Sequence, residues 1–82
     1  MRITEMSRVT GASPDEIRYM ERKGYFDVSI TTIKKRRVRD YMESDVPKIK
    51  SIIKYRKLGY TWDTAFNKGL QDFQNPQLFG DP

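Results

Sequence analysis

Ser13-Pro14-Asp15-Glu16-Ile17-Arg18-Tyr19-Met20-Glu21-Arg22-Lys23-Gly24-Tyr25-Phe26 is the stretch on which the reading of the whole chain turns. Ser13 can accept a hydrogen bond from the third helical amide, Pro14 sits where no amide donor is needed, and Glu16 can reach back to close a capping box. These residues predict a helix from about Pro14 to Lys23. Gly24 ends it, since a left-handed C-terminal residue is cheapest without a Cβ. The inward face is narrow, with Ile17 and Met20 alone; Asp15, Glu16, Arg18, Tyr19 and Arg22 are left outside.

Upstream, Ile3, Met6 and Val9 recur at three-residue spacing and predict a short first helix, with Arg2, Glu5 and Arg8 in water. Thr10-Gly11-Ala12 interrupts it. Two short helices joined by a tight glycine-containing turn have the outline of a helix-turn-helix, although many helical hairpins share that outline. Downstream, Tyr25 and Phe26 continue as buried aromatics. Val28, Ile30, Thr31, Thr32, Ile33 and Val38 are β-branched and predict an extended hairpin, or wing. Its second half, Lys34-Lys35-Arg36-Arg37-Val38-Arg39, holds five cations in six residues. No Asn-Gly or Asp-Gly marks a tight turn, so a loose loop is expected at the tip.

Ser44-Asp45-Val46-Pro47 predicts the start of a third helix with Ser44 as its cap. Val46, Ile49, Ile52, Ile53 and Leu58 form the expected buried stripe. Lys48, Lys50, Lys54, Arg56 and Lys57 occupy the solvated remainder, and Gly59 ends the helix. Thr61 is expected to cap a fourth, whose apolar face is Trp62, Ala65, Phe66, Leu70 and Phe73, with Asn75-Pro76 as its stop. The predicted fold is mainly α, a winged helix-turn-helix with about four helices and a β-hairpin wing over residues 1–75, followed by a flexible tail at 76–82. Phe79, in that tail, is free to dock elsewhere or to meet a second subunit.

Eighty-two residues suffice for one domain, because a chain this short hides only about 60 to 65% of its unfolded surface. No apolar run approaches the roughly 20 residues that span a bilayer, and the first residues lack a signal-peptide pattern; a cytoplasmic protein without membrane contact is expected. Cysteine and histidine are absent, which removes disulfides, thiolate metal sites and the commonest general base. No Asp/Glu cluster has ligand spacing. The expectation is therefore no metal, no cofactor and no enzymatic activity. Residues 1–58 hold fifteen of the sixteen Lys and Arg and eight of the eleven acids, a net of +7, against −2 for the remainder. Such a bias suits a polyanionic partner, although a basic surface that merely aids solubility has equal claim on charge alone.

In the order of its residues, the chain resembles the DNA-binding domain of MerR-type transcription regulators. Ile3 to Ser13 is similar to that family's opening helix and turn. Ile17-Arg18-Tyr19-Met20-Glu21-Arg22-Lys23-Gly24-Tyr25-Phe26 resembles its recognition-helix signature. Arg39-Asp40-Tyr41 with Asp45-Val46 looks like its wing ending and next helix start, and Leu58-Gly59-Tyr60-Thr61-Trp62 like its helix junction. Met20 stands where the family usually has an aromatic, Ala12 replaces a larger apolar residue, and the wing is a couple of residues longer and lacks the usual Gly. Family members normally continue into a long dimerisation helix and an effector-sensing region; neither follows here, which leaves a stand-alone binder or an excised domain as the two expectations.

The resemblance implies double-stranded DNA as partner, with the second helix in the major groove and the wing on the backbone or in the minor groove. Arg18 is then the candidate to pair with guanine or clamp a phosphate, and Tyr19 to donate its hydroxyl to a phosphate. Arg22 and Lys23 divide evenly between DNA contact and stabilising the helix end. Lys34, Lys35, Arg36, Arg37 and Arg39 are candidate phosphate clamps, one of the arginines entering the minor groove. Tyr41 is either a phosphate ligand or a core residue. Asp15 and Glu16 are assigned to capping. A homodimer or an assembly on repeated sites is expected, because one module buries little surface. Competing readings are an excisionase-like DNA-bending factor and a protein-interaction module whose basic wing holds an acidic partner.

Overall fold

A computed structural model describes residues 1–74. The predicted tail, the Asn75-Pro76 stop and Phe79 lie outside the described residues, as does the side chain of Phe73. Along the chain come α1 (Ile3–Thr10), α2 (Pro14–Arg22), β1 (Ser29–Ile33), β2 (Arg36–Asp40), a 3-10 turn (Glu43–Asp45), α3 (Val46–Lys57) and α4 (Trp62–Gln74). The expected mainly helical architecture with one antiparallel hairpin is thus present. By its contacts the chain divides into two compact units, Met1–Val46 and Pro47–Pro82.

In the first unit α2 forms as its sequence requires. Ser13 Oγ accepts the Glu16 N–H at 3.1 Å, and Glu16 Oε1 accepts the Ser13 N–H at 2.8 Å, a complete capping box. At the other end the Gly24 N–H bonds to the Glu21 carbonyl and the Tyr25 N–H to the Met20 carbonyl. This is a Schellman closure, with Gly24 at φ +77° and the apolar pair Met20 and Tyr25 buried beside it. Thr10, the one buried polar residue of α1, is satisfied by donating to the Met6 carbonyl and accepting from the Ala12 N–H. That fixes the turn between α1 and α2. Met6, Ala12, Ile17, Met20, Tyr25, Phe26 and Tyr41 are the unit's buried hydrophobic residues.

The wing differs from expectation at its tip. β1 and β2 pair from Ser29↔Asp40 to Ile33↔Arg36, leaving only Lys34 and Lys35 to turn the chain. Both take positive φ, 50° and 66°, the left-handed pair that a two-residue hairpin turn demands because its twist matches that of the strands. The predicted loose loop is therefore corrected to a tight turn. Left-handed backbone costs a lysine roughly 1–2 kcal/mol, and continuous pairing on both sides offsets it. Neither strand buries a residue. The hairpin is instead fastened at its base, where Tyr41 N–H bonds to the Met1 carbonyl at 2.7 Å and the Met1 nitrogen to the Tyr41 carbonyl at 2.6 Å.

In the second unit Ile49, Ile52 and Ile53 are buried as predicted, whereas Leu58 is 69% exposed. Leu58 follows the last helical residue, where the stripe no longer turns inward. Ser44 is also corrected: it lies inside the 3-10 turn whose Asp45 N–H bonds to the Met42 carbonyl, and Asp45 is the residue that directly precedes α3. Thr61 does cap α4, accepting the Thr64 N–H at 3.3 Å. α3 and α4 meet at Gly69, where an added Cβ would lie 2.9 Å from Ile52 Cγ1. Tyr55 Oη donates to Asp72 Oδ2 across the same pair of helices at 3.0 Å.

A Cβ at Gly24 would meet nothing within 4 Å, so Gly24→Ala acts through backbone strain alone. It should cost roughly 1–2 kcal/mol, read as a lower urea midpoint with an unchanged slope.

Candidate nucleic-acid interface

Because Ile17 and Met20 use up the inner face of α2, its charged residues must point outward. Arg18 is 53% exposed, and its Nη1 donates to Asp15 Oδ1 at 3.1 Å. Arg22 is exposed in the last turn, and Lys23 is the capping residue whose N–H bonds to the Tyr19 carbonyl. Tyr19 is half-buried. On the wing, Arg36, Arg37 and Arg39 are exposed along β2, with Lys34 and Lys35 at the tip.

The arginines converge. Arg18 from α2, Arg36, Arg37 and Arg39 from β2, and Arg2 just before α1 line one open cleft of about 460 Å³, together with Thr4 and Tyr41. No carboxylate lines it. A smaller cleft of about 200 Å³ brings Arg22 beside Arg18, Arg39 and Glu21. The candidates Arg18, Arg22, Arg36, Arg37, Arg39 and Tyr41 thus lie around two neighbouring clefts, whereas Tyr19, Lys23, Lys34 and Lys35 line neither. Sequence reasoning passed over Arg2, which periodicity assigned only to a wet helix face, and Thr4, which it did not assign.

It also passed over Glu21, the carboxylate that joins helix to wing. Glu21 Oε2 accepts Arg39 Nε at 3.0 Å, and Glu21 Oε1 accepts the Tyr41 hydroxyl at 3.2 Å. Tyr41 is only 1% exposed, and its ring packs against Phe26 with centroids 6.1 Å apart. Its position supports the core alternative weighed for it. Glu21 lies eighteen and twenty residues from these partners, a separation over which the sequence carries no local signal of the pairing. The Glu21 hydrogen bond, then its charge, raise the Arg39 guanidinium further above its already high value. Burial, then the Glu21 charge and hydrogen bond, raise the Tyr41 phenol above its ordinary value.

Two short helices joined by a fixed turn, an arginine-bearing second helix and a cationic hairpin beside it define a winged helix-turn-helix. The sequence model of the family described as MerR HTH family regulatory protein matches residues 1–65, and the protein belongs to that family. Membership makes it a DNA-binding domain of transcription regulation. No curated protein matches the chain. Among the described residues no helix is long and apolar enough to cross a membrane, and no group of three or more His, Cys, Asp or Glu is placed to hold a metal ion.

The folded protein holds the Tyr41 proton more tightly than the unfolded chain does. The stability this gives is complete below the ordinary value of 10.0 and is lost as pH rises through the raised one. Tyr41→Phe should therefore cost about 0.5–1.5 kcal/mol at neutral pH, for the lost hydrogen bond. It should also flatten the fall in stability above pH 10.0, measured by urea unfolding across the alkaline range.

Proposed function

We propose that the protein binds specific double-stranded DNA sequences, with α2 in the major groove and the wing against the backbone and minor groove. The observation that carries this reading is the cleft in which five arginines meet with no carboxylate among its lining. Arg18 and Arg39 already have carboxylate partners in Asp15 and Glu21, and the positive potential that the cleft retains favours a polyanion, which releases its own counterions on binding. Arg18, on the exposed face of the helix, supplies the fork of donors that suits guanine O6 and N7. Arg36, Arg37 and Arg2 take phosphates, and Arg39, fixed by Glu21, keeps the wing in register with them. Lys34 and Lys35, at the end of the hairpin, add backbone contacts or bring a cation to the minor groove. Tyr19 donates to a phosphate, and Arg22 with Lys23 adds positive potential at the helix end. Tyr41 serves the interface from beneath, by orienting Glu21.

A single module of this kind buries little DNA surface, so two copies on paired half-sites are the expected working form. The geometry separates a residue that reads from residues that hold. In binding titrations against a selected site and an unrelated duplex, Arg18→Ala should narrow the difference between the two, by roughly five- to a hundredfold if a bidentate base contact is lost. Arg36→Ala with Arg37→Ala should weaken both duplexes alike and reduce the slope of log affinity against log salt by about 1.8. Absence of binding to any duplex at low salt would refute the reading.

A further inference from the structure

The N-terminal turn of α2 holds two acids, and only one of them takes part in the capping box. Ser13 and Glu16 complete the capping box between themselves. Asp15 is outside it: its side chain is 95% exposed, and its Oδ1 takes the Arg18 guanidinium at 3.1 Å. Beside the arginines of the clefts, a protruding carboxylate opposes phosphates and weakens attachment to any duplex. It turns favourable where it meets a hydrogen-bond donor on a base edge. In the major groove, cytosine N4 is the amino group that carboxylates accept from.

We propose that Asp15 reads a base and does so as one unit with Arg18: Asp15 accepts from the N4 amino group of a cytosine, and Arg18 donates to the guanine of a neighbouring base pair. The proposal rests on the placement of α2 in the major groove given above. Residues three apart on a helix stand roughly 5–6 Å from each other, between one and two steps of a duplex that rises about 3.4 Å per base pair, a span from which two side chains can converge on neighbouring pairs. N-terminal residues of a recognition helix are those that reach base edges. The ion pair keeps both side chains on the outer face of the helix and biases them toward one another before DNA arrives. On a wrong site the carboxylate faces an acceptor or a phosphate, and the mismatch acts against binding there.

The test is selection from random duplexes by the native protein and by Asp15→Glu, Asp15→Asn, Asp15→Ala and Arg18→Ala. Native protein should enrich a motif containing a cytosine that Asp15→Glu retains. Asp15→Ala should lose preference at that position by roughly tenfold, with the rest of the motif intact, and should bind unrelated duplexes more tightly. Asp15→Asn should change the letter to adenine, whose N6 and N7 suit an amide; an acid that merely stabilised the helix would leave the letter unchanged. Arg18→Ala should relax the adjacent guanine. An Asp15→Ala motif identical to the native one would overturn the proposal and leave the groove reading standing. So would loss confined to the position that Arg18→Ala relaxes, since Asp15 would then only position Arg18. A native protein that enriches nothing would overturn the groove reading and this proposal together.

Discussion

The side-chain contact that ties the wing to α2 is made by Glu21. The wing is a two-stranded hairpin without a buried residue, and such hairpins are at best marginal in water by themselves. Its direction is set where it joins the helices. There one carboxylate takes both the Arg39 guanidinium and the Tyr41 hydroxyl. The contact to Arg39 is well exposed and contributes little to stability. The contact to Tyr41 matters more, because a phenol that is 1% exposed has no water to replace a lost partner. Glu21 stands in α2 itself, so the orientation of the wing follows the orientation of that helix.

The charge pattern follows from the same arrangement. Three acids stand on α2, and each is occupied in a different way: Glu16 by the helix end, Glu21 by the wing and Asp15 by Arg18. With its acids so engaged, the helix leaves the main cleft lined by arginines without a carboxylate. The strained lysine turn is consistent with this division. Lys34 and Lys35 occupy left-handed backbone where Asn and Gly would be more comfortable, which places two cations at the far end of the hairpin.

Local rules carried most of the fold. The capping box at Ser13 and Glu16, the Gly24 closure and the Thr61 cap are chemistry within a few residues, and each stands where the sequence predicts. The failures came where a local rule was outvoted. At Lys34-Lys35, strand pairing imposed a turn that residue preference argues against. At Leu58, an apolar residue one step beyond the helix faces water. Ser44 resembled a cap, but the chain was already turning through Glu43–Asp45. The arginine candidates were legible from charge and family resemblance, whereas Arg2 and Glu21 were not. Arg2 is sixteen residues from Arg18, and Glu21 is eighteen from Arg39. No periodicity records a meeting at that distance.

Amide hydrogen exchange in Glu21→Ala tests most directly whether Glu21 fixes the wing to α2. The expectation is faster exchange across β1 and β2, with α1 as the internal reference keeping its native protection. Native protection of the wing in that variant would contradict it, and the backbone contacts of Met1 with Tyr41 would then be enough to hold the hairpin.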